Sequence, residues 1–462
     1  MKNQRIMSKK YNFVATLFLV ALLAVSCKVG PKYERPEIKN SPKEYLNKQA
    51  EAKVNDSIAN VKWFDIFEDA VLKDLIQKGL DNNYDLRIAL ARIEQSKAVL
   101  GITKADLYPN IGYSGQVNSQ QSLLQNTNLT ATMSWELDFW GKVRHETGAL
   151  RNELLASDEA RKVVVSNLVS EIASTYFQLR DYDNRLIFTE KTIESRKRSD
   201  EIINQRFEKG YVSQLDKVQV EQQVAIAEQA LQQIKRTIVA LENALNVLTG
   251  QVPGPVARGK WNHEQTVSTQ IPVELPSALL ENRPDVKGSE LQYKAAVERI
   301  GVAQAMRFPS FNIAAFAGFA SPEISNLFDS GSYIQNVGGG LFGPLFNFGK
   351  NKQRVTLNRQ LAEESKLNFE KIVINAVAEV ENALVALDTY NEEWNASSRQ
   401  TEAARIYLKL SQARYDNGYV SYLEVLDAER SLFDSEINLS DLSQEKLSAV
   451  MRLYKALGGG WQ

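Results

Sequence analysis

The 462-residue chain has one cysteine and two histidines, which leaves little material for a metal centre or for thiol chemistry. Neither His145 nor His263 sits in a ligand-spaced cluster, so each reads as a satisfied surface or loop histidine. No Ser/His/Asp set converges either, and the chain is read as a non-enzyme without cofactor or metal. Charge of one sign is also missing. Lys and Arg number 55 against 56 Asp and Glu, so no overall field points to nucleic acid as a partner. Proline is absent from Gly141 to Pro253, which leaves room for very long helices.

What is present begins at the N-terminus. Lys2, Arg5, Lys9 and Lys10 precede an apolar stretch from Phe13 to Val25, and Ser26-Cys27 follows. That stretch is too short for a stable membrane span and reads as a signal peptide, residues 1–26. Cys27, the only cysteine, falls where a lipoprotein signal peptidase would leave it as the first mature residue, to be acylated, for example with palmitate. Ala24 stands where Leu is usual, with Leu23 one place earlier. Lys28 follows the cysteine rather than the Asp that retains lipoproteins in the inner membrane, which favours an outer-membrane destination.

RFEKGYVS at 206–213 recurs as RYDNGYVS at 414–421, an offset of 208 with five identities. Asp85/Asp285, Gly101/Gly301 and Pro109/Pro309 align at an offset of 200, and Gly141/Gly349 at 208. The chain is therefore a tandem duplication with eight residues inserted between Pro309 and Gly349. In each half a helical stretch, 81–107 or 281–307, leads to a period-two region. Leu129, Ala131, Met133, Trp135 and Leu137 alternate with polar residues, as Ile111, Tyr113 and Val117 do before them. Phe311, Ile313, Ala317 and Phe319 mark the corresponding strand of the second half, and its return is interrupted by Gly338-Gly339-Gly340. Hairpins with one apolar and one polar face suit a tilted strand crossing a bilayer. Four strands cannot close a barrel, and open edges are not tolerated in lipid, so several chains would have to share one.

Coiled-coil seams follow: Ile172, Leu179, Leu186 and Ile193 recur every seven positions, as do Val380, Leu387 and Trp394. A helix of 142–209 would span roughly 100 Å, and a return of 213–249 with the 281–307 helix stacked on it matches that length. The expected organisation is a lipidated N-terminal tether and equatorial segment, 27–80, before a first repeat, 81–250, with hairpin 109–141 and helices 142–249. An equatorial linker, 251–280, of short strands and loops then leads to a second repeat, 281–458, with hairpin 309–348, helices 350–457 and a short tail, 459–462.

CKVGPKYERPE at 27–37, NRPDV at 282–286, GLFGPLFNFGK at 340–350, SYLEVLDAERSLF at 421–433 and LYKALGGGW at 453–461 together resemble the outer-membrane efflux protein family. Within that family of TolC-like factors, the chain is similar to the OprM-like lipoprotein branch. The resemblance implies a mainly α fold with a membrane β-barrel. A homotrimer would share one twelve-strand barrel, continued by a twelve-helix periplasmic α-barrel with a small mixed equatorial belt. It also implies a conduit that takes small molecules from a periplasmic adaptor protein and an inner-membrane efflux pump across the outer-membrane lipid. Ducts for type I protein secretion or metal-ion export use similar channels, and a lipid-anchored coiled-coil structural protein is the reading outside the family.

Asp427 matches the family position lining the constricted periplasmic entrance, Glu424 a second acidic position, and Tyr415 a tethering tyrosine. Val420 stands where some members have arginine. Three residues apart, Glu424 and Asp427 share a helix face. Rings of such carboxylates favour cations and repel one another, so closure needs neighbouring contacts. At the tip, Gly210 and Gly418 permit the tight turns, followed by Tyr211, Val212 and Ser213 and by Tyr419, Val420 and Ser421. The apolar pairs are expected either to dock the adaptor or to staple the turn, at a tip with no core of its own.

Overall fold

The computed structural model describes residues 28–37, 63–118, 126–265 and 279–461. The expected signal peptide, Cys27 and most of the expected tether lie outside the described residues, as does 266–278 of the linker.

The elements are α1 (Trp63–Ile66), α2 (Ala70–Asn82), α3 (Tyr84–Ala105), β1 (Asn110–Asn118), β2 (Asn126–Leu137), α4 (Lys142–Glu208) and α5 (Gln214–Leu248). After them come α6 (Leu279–Asn282), α7 (Pro284–Ala305), β3 (Ser310–Ser321), β4 (Tyr333–Phe342), α8 (Lys350–Asp416) and α9 (Tyr422–Ala456). The repeat is visible in the lengths: 22 residues for α3 and α7, 67 for α4 and α8, 35 for α5 and α9.

Two expected boundaries move. The first rising helix starts at Tyr84 rather than residue 81, because Asp81 and Asn82 finish a separate helix, α2. Asn83 breaks the chain with extended ψ (131°) and serves both neighbours. Its N–H closes α2 on Gly79 O, and its side-chain oxygen accepts from Leu86 N at 3.0 Å. In the second half Arg283 takes that place, where the following Pro284 disfavours helical backbone and suits the first helical position. The expected short strands of the linker are not found among the described residues 251–265, which hold one 3₁₀ turn (Asn262–Glu264).

The chain divides into two units, with α3, α4, α7 and α8 each running through both. The first comprises the docked segment 28–37 with Ala91–Asp158 and Gly288–Lys371. It holds one antiparallel sheet in the order β1-β2-β3-β4, with the two hairpins joined through β2 and β3. Register fixes the faces. Ile111 pairs with Met133, Met133 with Ala315 and Ala315 with Val337, and this face carries most of the apolar residues, while the opposite face is polar in β1 and β2 but holds Phe316 of β3 and Ile334 and Phe342 of β4. Ser114, Thr130 and Gly318 form a row of the opposite face, with Ser114 Oγ and Thr130 Oγ1 2.9 Å apart. Ile111, Tyr113, Val117 and Val337 are all more than 60% exposed on the apolar face. The glycine run is no interruption: Gly338, Gly339 and Gly340 continue β4 opposite Ala314, Ile313 and Asn312.

The segment 28–37 is seated against α7. Lys28 Nζ pairs with Glu298 at 2.9 Å, and Arg35 Nη2 and Tyr33 Oη both donate to Glu290 at 2.7 Å. Burial alone would raise the Glu290 carboxyl, but the Arg35, Lys294 and Tyr33 bonds outweigh it and hold it at about 2. His145 is buried, not at the surface. Its Nδ1 lies 2.5 Å from Glu298 Oε2 and its Nε2 3.1 Å from Val29 O.

The second unit comprises 63–90 with Glu159–Lys287 and Ile372–Gln462. Its seams are those the heptads mark: Ile172, Leu179 and Val380 are fully buried, and Leu387 nearly so. Asp69, 2% exposed, caps α2 through Val71 N and accepts from Tyr176 Oη and Lys260 N, each at 2.9 Å, which pins the linker without strands. Between α4 and α9, Arg185 stands 2.7 Å from buried Asp181 and 2.6 Å from Asp441.

Candidate gate at the paired helical turns

Both octapeptides fold as the same turn. Gly210 N–H reaches Phe207 O and Tyr211 N–H reaches Arg206 O, both at 2.9 Å, and Gly418 and Tyr419 repeat these bonds onto Tyr415 and Arg414 at the same distance. This is a Schellman closure, and it needs a left-handed residue. Gly210 and Gly418 supply φ of 76° and 78°, while an added Cβ at either would meet open space. Conformation, not crowding, calls for glycine there.

The tip does have a core, contrary to expectation. Ile203, Val220, Tyr422 and Val425 are buried together, and Val212, Leu408, Tyr415 and Leu426 pack on them. Sequence reasoning missed it because its members come from four helices and the first turn, none with more than three. Val212 thus points its side chain inward, Val420 is half-buried, and Tyr211 and Tyr419 remain 78% exposed. Ser213 and Ser421 lie exposed at the starts of α5 and α9.

The two copies differ in where their charges go. In the first, Ser213 and Asp216 form a reciprocal capping box, with Asp216 N donating to Ser213 Oγ at 3.2 Å and Ser213 N to Asp216 Oδ2 at 3.0 Å. In the second, Ser421 makes no side-chain cap, and Glu424, at the position of Asp216, turns instead to Arg414 at 2.7 Å. Asp427, at the position of Gln219, accepts from Arg430 at 2.8 Å and from Tyr407 Oη at 3.5 Å. The carboxylates therefore share a helix but not a partner. Glu424 is half-buried and Asp427 exposed.

Tyr415 lies across the repeat boundary from Arg206, which donates to its hydroxyl at 2.5 Å and stacks its guanidinium 4.9 Å from the ring. Burial raises the Tyr415 hydroxyl above its ordinary range, only partly offset by Arg206. Tyr422 meets the ring edge-on at 5.2 Å. Arg206 and Arg414 head the two octapeptides, so the repeat itself was the signal that could have found them. Deeper, Arg196 donates to Gln223 O at 2.9 Å, and Ser195 Oγ to Glu429 at 3.3 Å, where burial pushes the Glu429 carboxyl up.

The arrangement can hold a tip closed through cross-repeat polar contacts while presenting an acidic residue to solvent. Known proteins are similar to the chain in sequence and in fold. The family model described as outer membrane efflux protein matches residues 75–251 and 275–459. The chain is 33% identical over 470 residues to the toluene efflux pump outer membrane protein TtgI of Pseudomonas putida, covering 96% of this chain and 98% of that one. It is 31% identical over 449 residues to the cation efflux system protein CusC of Escherichia coli, with the same coverage. Among solved structures, CusC superposes with a TM-score of 0.84 at 29% identity over 94% of this chain and 100% of that one. The open-state MtrE outer membrane channel of Neisseria gonorrhoeae gives 0.86 at 26% identity over 94% and 99%. On two repeats matched across most of their length, the chain belongs to the outer membrane efflux protein family.

Proposed function

We propose that this outer-membrane efflux protein is the duct of a tripartite system, passing small molecules from a periplasmic adaptor and inner-membrane pump to the exterior. The observation that carries the reading is the four-stranded sheet, whose apolar rows are exposed, whose other face is polar across β1 and β2, and whose edges β1 and β4 pair with nothing among the described residues. Such a sheet suits lipid only when closed. Three copies sharing twelve strands close it, and three sets of four helices continue it as an α-barrel. The exposed faces of α3 (Val99, Ile102) and α8 (Leu357, Leu361) support lateral association with further copies. Acylated Cys27 anchors each copy in the outer-membrane lipid, next to the seated Lys28.

In this reading Asp427 and Glu424 form the selectivity ring of the periplasmic gate, and the Arg206 bond to Tyr415 holds it closed. Gly210 to Ser213 and Gly418 to Ser421 form the adaptor-docking tip, with Tyr211 and Tyr419 as the exposed contacts. An acidic ring favours cations. Similarity to a protein named for cation efflux keeps metal-ion export as the second reading for substrate. Purified chain reconstituted in planar bilayers should be trimeric by native mass spectrometry and conduct as single channels. Replacing Asp427→Ala should raise conductance and lower cation preference. A chain that forms no channel sinks the duct, and an unchanged Asp427→Ala channel sinks the ring.

A further inference from the structure

The sheet-bearing unit makes the same helix-to-strand junction twice, and only one of the two has a further strand-to-helix connection of this chain packed against it. At the end of α7, Arg307 N–H and Phe308 N–H close onto Gln304 O and Ala305 O at 3.1 and 3.0 Å. At the end of α3, Leu107 and Tyr108 close onto Lys104 O and Ala105 O at 3.2 and 3.0 Å. The offset of 200 that pairs Pro109 with Pro309 pairs Tyr108 with Phe308, and the offset of 208 that pairs Gly141 with Gly349 pairs Trp140 with Phe348.

The α7–β3 junction borders a recess of about 420 Å³. One wall is Ala305, Met306, Phe308 and Ser310, a second is Phe342, Pro344, Lys350 and Asn351, and the third is the β2–α4 connection from Glu136 to Trp140. In that third wall Trp140 stacks on Phe308 at 4.5 Å and donates Nε1–H to Pro309 O at 2.8 Å, while Phe139 leans on Phe311 at 5.4 Å. The α3–β1 junction borders a recess of about 520 Å³ with the first two walls reproduced. Ala105, Asp106, Tyr108 and Asn110 answer to the first, and Ser134, Glu136, Lys142 and Val143 stand 208 positions before the members of the second.

The third wall would be residues 344–348. This chain carries them after β4, at the opposite edge of the sheet from β1. They are exposed there: Leu345 fully, Phe346 at 76% and Phe348 at 90%. Phe348 is also the one non-glycine residue with positive φ (51°) among the described residues, a conformation that persists where contacts hold it. The facing Tyr108 and Ile111 are exposed as well.

We propose that residues 344–348 of one copy complete the α3–β1 recess of the next, with Phe348 stacked on Tyr108 as Trp140 stacks on Phe308 within the chain. The inference rests on the trimeric reading and adds the residues by which neighbouring copies recognise each other. The contact is head-to-tail, the kind that generates rings.

Tyr108→Cys/Phe348→Cys protein, treated with a short bismaleimide, should lose its monomer band to dimer and trimer on a denaturing gel, unlike either single variant. Trp140→Cys/Phe308→Cys should react within one chain and serves as the geometric control. Independently, Phe348→Ala should lower the temperature at which a detergent-resistant trimer dissociates. Protein that is trimeric by native mass spectrometry, yet shows neither crosslinking above the single variants nor a shift with Phe348→Ala, overturns the proposal and leaves the trimer standing. A wild-type chain that stays monomeric removes the trimer, and the proposal with it.

Discussion

At Asp181 one guanidinium serves two carboxylates. Arg185 contacts both Asp181 and Asp441, and with Ser440 these are the polar groups facing Asp181 from α4 and α9. Burial raises Asp181 from 3.8 to about 6; Arg185 opposes the shift and Asp441 adds to it. The folded chain thus holds this proton more tightly than the unfolded one, so stability falls as pH rises from 3.8 to about 6 and the penalty is complete above. Asp181→Asn should therefore gain on wild type across that window when unfolding midpoints are compared against pH, and parallel curves would refute it. The shift was not legible in the sequence, because Asp181 and Arg185 read as an ordinary i,i+4 helix pair and Asp441 lies 260 positions beyond Asp181. The gate shows the same limit. Glu424 and Asp427 were singled out by the resemblance and by their place after the second octapeptide, whereas the repeat marked Arg206 and Arg414 without showing what they bind, and Tyr407 carried no signal. A lone histidine carries no pattern, so the burial of His145 under Val29 was invisible as well.

The turns that end α4 and α8 are alike in backbone and unlike in capping. Ser213 takes part in a capping box and Ser421 makes no side-chain cap. Ser213→Ala should cost about 1 kcal/mol of local stability, read as faster amide hydrogen exchange in the first turn of α5, and Ser421→Ala should leave α9 nearly unchanged. Equal effects would mean that the boxes do not differ. The helices themselves were legible because heptads, the long absence of proline and the paired glycines all point one way. The break at Asn83 was not. Asn is an ordinary helix-flanking residue, and only its two simultaneous bonds, to Gly79 O and from Leu86 N, reveal a joint. The docked segment 28–37 was equally hidden, since Glu290 and Glu298 read as surface charges of an amphipathic helix.

For the whole molecule, under the proposed duct, the decisive property is which face of the sheet would meet lipid. Period-two alternation marked the faces, and register lines up Ile111, Met133, Ala315 and Val337 on one of them, with Ala314 on the other beside Phe316, Ile334 and Phe342 of β3 and β4. Ala315→Lys should cost about 2–4 kcal/mol if that row lies near the bilayer midplane, and should deplete assembled protein in outer-membrane fractions. Ala314→Lys should assemble normally, and the reverse order of effects would put the polar face outside. The number of copies was not legible from residues, because under the proposed duct four strands require only that closure be shared. Finally, the equal lengths of the paired helices set where the gene can tolerate change. One residue added within α4 would turn everything beyond it by about 100° about the helix axis, carrying the seam off its partners. The eight residues by which the halves differ lie instead between Pro309 and Gly349, in the hairpin. Insertions such as epitope tags or cargo-binding loops should therefore be accepted at the turn between β3 and β4 and refused along any of the long helices.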